Sequence, residues 1–75
     1  MTREYKMTIA QTTPTMCHIR FQTRDGNGPW GKVGIIPVLG TVDQIRTERI
    51  ANQIKWGWTL YDPEDLETLI FWKEI

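Results

Sequence analysis

The sequence has one cysteine and one histidine among 75 residues, no net charge, and no apolar run longer than the four residues from Leu69 to Trp72. Each scarcity removes a class of protein. A lone Cys17 cannot close a disulfide within the chain, and Cys17 with His18 falls short of the four ligands a structural zinc site needs. A run this short is far below the roughly 20 residues of a membrane-spanning helix. The N-terminus lacks the basic stretch followed by an apolar one that marks a secretory signal. One free thiol without an export signal fits a reducing compartment, so the expected location is cytoplasmic and no membrane partner is expected.

A chain of this length forms one domain, taken as residues 1–75, near the size at which a core holds unaided. Folding buries only about 60–65 % of the unfolded surface of such a chain. Neither metal nor cofactor is expected to supplement the core, and pairing into a homodimer stays open as a remedy.

What the sequence does hold is tryptophan: Trp30, Trp56, Trp58 and Trp72. Burying four indoles in so small a domain is difficult, and each ring N–H needs a partner when buried, so indoles favour core edges and interfaces. Charge is also segregated. Residues 1–38 carry Arg3, Lys6, Arg20, Arg24 and Lys32 against Glu4 and Asp25, whereas residues 57–75 carry only Lys73 against Asp62, Glu64, Asp65, Glu67 and Glu74. That asymmetry suits electrostatic steering by one end, or simply two solvated surfaces.

Alternation organises the first half. Tyr5, Met7 and Ile9 alternate with Lys6 and Thr8, and Cys17, Ile19, Phe21 and Thr23 alternate with His18, Arg20 and Gln22, predicting two half-buried strands. Thr12-Thr13-Pro14 separates them. Asp25-Gly26-Asn27-Gly28-Pro29 is dense in turn formers and should reverse the chain. Val33 and Ile35 continue as a third strand, which Pro37 assigns to a sheet edge. Thr41 and Gln44 have the spacing of a capping box. Behind it Val42, Ile45, Ile50 and Ile54, helped by Ala51, predict a helix from Val42 to Lys55 that Gly57 can stop.

The last segment reads two ways. Trp58 to Tyr61 suggests a short strand, and Asp62-Pro63-Glu64-Asp65 is a good helix start. Leu69-Ile70-Phe71-Trp72 is rich in strand formers, so one helical turn at 63–66 and a strand at 68–74 are preferred to a continuous helix. The predicted class is α+β: a small antiparallel sheet in the order β-β-β-α-β-β, with one helix packed across one face.

Three motifs invite chemistry. Gly26-Asn27-Gly28-Pro29-Trp30-Gly31 matches Gly-x-Gly-x-x-Gly, but the dinucleotide mechanism needs a helix opening within the motif. Here Pro29 removes an amide and a strand follows, leaving a glycine-rich turn. Cys17 and His18 are neighbours on a predicted strand, so their side chains point to opposite faces and cannot form a thiol–imidazole pair. The carboxylates of Asp62, Glu64, Asp65 and Glu67 lack the central glycine of a calcium loop and suit a helix cap or a basic partner. No nucleophile, base and orienting group can be assembled, so catalysis is not expected.

The aromatics carry the functional expectation. A C-terminal strand with Leu69 and Phe71 on one face and Ile70 and Trp72 on the other must be covered twice. The expected function is that of a small non-catalytic binding protein acting through protein–protein contacts. In size and composition it looks like the short inhibitors and adaptors carried by phages and mobile elements. Partner contacts are expected from Trp30, Trp58, Tyr61 and Trp72, from Asp62, Glu64, Asp65 and Glu67, or from a free strand edge. The alternative is a nucleic-acid-binding module that uses the basic face of the first hairpin, Lys6, His18 and Arg20 with Lys32.

Overall fold

A computed structural model describes residues 1–61 and 68–75. Five strands and one helix follow in the order β1 (Thr2–Thr13), β2 (Met16–Asp25), β3 (Gly34–Leu39), α1 (Val42–Lys55), β4 (Thr59–Leu60) and β5 (Thr68–Glu74). All strand pairs are antiparallel, and the order across the sheet is β3-β2-β1-β5-β4. The α+β class, the element order and the span of the helix agree with the sequence expectation, as does a strand over 68–74. The helical turn expected at 63–66 lies outside the described residues.

Alternation sets the core. Met7 and Ile9 of β1, Cys17 and Ile19 of β2, and Leu69 and Phe71 of β5 are buried side by side, and Ile45 of α1 closes over them. At about 25 cal/mol per Å² of apolar surface removed from water, these residues are the main source of the fold's stability. The helix is anchored at its start. Thr41 Oγ1 accepts from Gln44 N, Gln44 Oε1 accepts from Thr41 N, and Val42 N donates to Gln11 Oε1 at the end of β1. Gly57, at φ 93°, takes the left-handed conformation that ends the helix.

Two details depart from the sequence pattern. Ile54 and Ala51 are exposed, and the face of α1 turned to the sheet carries Val42, Ile45, Arg46, Arg49, Ile50 and Gln53 instead. Arginine stems can cover apolar surface, and here the Arg46 Nε is itself buried, with no hydrogen-bond partner among the described residues. In β3 the inward pair is Ile36 and Val38, not Val33 and Ile35. Its sequence, Gly-Ile-Ile-Pro-Val-Leu, is apolar on both faces, so alternation cannot choose. The choice is made at Phe21, which pairs with Gly34 and whose ring occupies the space a Cβ there would need.

Candidate binding face and its chemistry

Because α1 covers one side of the sheet, the other side is the natural place to look for function. Among the described residues no second layer lies on it. Strand register fixes what this bare face presents. Met16 pairs with Leu39, and Ala10, His18 and Pro37 form the next row. Thr68, Thr8, Arg20 and Ile35 form a third, Tyr61, Ile70, Lys6 and Gln22 a fourth, and Thr59, Trp72, Glu4 and Arg24 a fifth. The face therefore grades from an apolar corner on β3, through a cationic middle, to an aromatic corner on β4 and β5.

At the aromatic corner, Tyr61 and Trp72 lie with ring centroids 6.2 Å apart. Trp30 arrives from the loop after β2, which is tied down by Gly31 N donating to Thr23 O and Gln22 Nε2 donating to Gly31 O. Its indole receives the Lys6 ammonium at 4.5 Å and the Arg24 guanidinium at 4.4 Å from a ring centroid. Arg24 Nε also donates to Glu4 Oε1 at 2.8 Å, a half-buried ion pair. Trp30 is thus a cover over Lys6 and Arg24, with both cations held against its ring. At the apolar corner Ile35 is 54 % and Leu39 75 % exposed, with Pro37 exposed between them and Val33 exposed just before.

β3 is an edge strand, and its outer edge is incomplete. Gly40 N donates to Thr15 O, so the pairs in step with it, Cys17 with Val38 and Ile19 with Ile36, are the ones that exchange ladder bonds. Pro37 falls between them, and its nitrogen points to the free edge without a hydrogen to give. The opposite edge, β4, is two residues long. Neither edge offers an unbroken ladder to an added strand.

A second feature lies on the helix side. A cleft of about 570 Å³ opens between Tyr5, Trp58, Gln53 and Trp56, with Arg3 and Asp25 at its end. Trp56 is the C-cap residue of α1 and is 74 % exposed. Burial pushes the Tyr5 phenol above its ordinary value, while Arg49 pulls it back. The charges at the end of the cleft are spent on each other. Arg3 Nε donates to Asp25 Oδ1 at 2.7 Å, which holds the Asp25 carboxyl below its ordinary range.

The residues singled out from the sequence divide between these places. Trp30, Tyr61, Trp72, Lys6, His18 and Arg20 share the bare face, so the two candidate sets overlap on one surface. Lys32 is exposed in the loop that brings Trp30 in. Trp58 is on the other side, packed against Tyr5 and beneath the Lys73 ammonium. Asp62, Glu64, Asp65 and Glu67 lie outside the described residues. Cys17 is buried, its Sγ 3.4 Å from both Gln11 Oε1 and Gly40 O, and His18 points away on the bare face. Among the described residues no group of three His, Cys, Asp or Glu is placed to hold a metal, and no helix is long and apolar enough to cross a membrane. Ile35, Leu39 and Trp56 were not among the contact residues expected from the sequence; their exposure depends on register and on where the helix stops.

No protein-family model matches the chain, and comparison with curated proteins and with solved structures finds no significant match.

Proposed function

We propose that this chain is a non-catalytic binding module that docks a partner protein on the bare face of its sheet. The observation that carries this reading is the row of exposed apolar residues, Ile35, Pro37 and Leu39, on an ordered strand with Val33 beside it. An apolar patch held rigid in water is what a docking surface requires, and burying it is favourable in proportion to its area. The cationic middle and aromatic corner supply the polar and ring contacts that surround such a patch in an interface. A role as inhibitor or adaptor is in keeping with a domain that presents such a surface.

A tagged pull-down from lysate, run with and without nuclease, tests this. Capture of one protein that survives nuclease, is lost in the Ile35→Glu/Leu39→Glu variant and persists in Trp56→Ala is the expected result. Equal capture by all three proteins would sink the reading.

One observation favours a second reading. Lys6, His18 and Arg20 lie on the same face as Tyr61 and Trp72, the combination with which open sheets hold single-stranded nucleic acid. That reading expects the captured material to disappear with nuclease and affinity to fall steeply with salt.

A further inference from the structure

The middle of the bare face holds a hollow of about 390 Å³ lined by Lys6, Thr8, Arg20, Gln22, Val33 and Thr68. Register explains why these groups meet. Thr68, Thr8 and Arg20 are consecutive across β5, β1 and β2, and Lys6 and Gln22 are partners one step along. The lining comprises an ammonium, a guanidinium, two hydroxyls and a carboxamide, all able to donate, and among the described residues it contains no carboxylate. Neither Lys6 nor Arg20 has a salt-bridge partner among the described residues. Of the described acids on this face, Glu4 is engaged by Arg24, and Glu74 by the Thr2 hydroxyl and the N-terminal ammonium.

The hollow is also built to keep its shape. The Lys6 ammonium is held over the Trp30 indole, and Gln22 Nε2 pins the loop that carries Trp30. Two cations on neighbouring rows repel each other, and an anion between them removes that repulsion while accepting charge-assisted hydrogen bonds.

Resting on the docking reading above, we propose that this hollow is an oxyanion subsite that receives a carboxylate side chain from an acidic segment of the partner protein. A hollow that gathers two cations at one place suits one anion better than a track of phosphates. Its wall at Val33, continuing to Ile35 and Leu39, suits apolar residues flanking that acid in a polypeptide. Partner and subsite are complementary in charge, which favours fast encounter and a fixed register.

The test titrates the protein with a blocked oligoglutamate peptide and, separately, with an oligothymidylate of equal charge, following backbone amide resonances. The expected result is saturable shifts at Thr8, Arg20, Gln22 and Thr68 with the peptide. Binding should weaken by about tenfold in Lys6→Gln or Arg20→Gln, from loss of one charge-assisted bond, and largely survive in Arg20→Lys. Amide dispersion verifies that each variant is folded. Shifts spread over all basic residues and indifferent to Arg20→Gln would overturn the proposal, as would tighter binding of the oligothymidylate. Failure of the docking reading is separable. A peptide titration that meets these expectations, while capture from lysate ignores Ile35→Glu/Leu39→Glu, upholds the anion site and removes the partner protein. Loss of capture in that variant without saturable shifts at the hollow removes the subsite and leaves the docking face.

Discussion

Phe21 and Gly34 show how a single contact sets which way a strand faces. A Cβ at residue 34 would run into the Phe21 ring, and the ring in turn shields backbone that glycine leaves bare. Gly34→Ala should therefore overpack this pair and lower stability by about 1–3 kcal/mol, read as a reduced urea midpoint with an unchanged slope. A midpoint equal to that of the parent would show that the ring can simply move. Asp25 makes a different kind of prediction. The Arg3 bond holds its folded pKa below the unfolded value near 3.9, so its contribution is complete above that value and is lost as pH falls through the depressed one. Asp25→Asn should lower the melting temperature slightly at pH 7 and leave it unchanged well below about pH 4, flattening the acid fall by that small amount. An unaltered acid profile would assign that fall to other carboxyl groups.

At the scale of elements, the helix and the first two strands were legible because their signals are local. Thr41 and Gln44 cap, Gly57 stops, and Met7, Ile9, Cys17 and Ile19 alternate with polar neighbours. The facing of β3 was not legible, since both of its faces are apolar and a contact from β2 decides. The end of the helical stripe was also hidden, because on the last turn Gln53 takes the face turned to the sheet and Ile54 lies off it, exposed. Pro37 gives this scale its own prediction. Placed where its nitrogen points to the free edge, it interrupts the donors of β3 and discourages edge-to-edge pairing. Pro37→Thr restores the missing N–H and should promote self-association, visible as a concentration-dependent rise in sedimentation coefficient. A variant that stays monomeric at all concentrations would mean that the proline is not what keeps the edge closed.

Over the described residues the molecule is a sheet with one side given to the core and the other left to its surroundings, and this division decides how much of the candidate site could be read in advance. The residue types were visible: cations at Lys6 and Arg20, rings at Trp30, Tyr61 and Trp72. Their union on one face was not, because it depends on β5 pairing beside β1, and no local pattern announces a ladder between Thr2 and Glu74. That ladder has a consequence for the order of events during synthesis. The central strand of the sheet emerges first, and the strand that completes one of its edges emerges last. Until β5 arrives, β1 and β2 can form their hairpin locally, but the other side of β1 stays open and the buried positions Leu69 and Phe71 are unfilled. Closing so long a loop makes this pairing the slow part of assembly, so the free side of β1 stays an exposed apolar edge until β5 has been made.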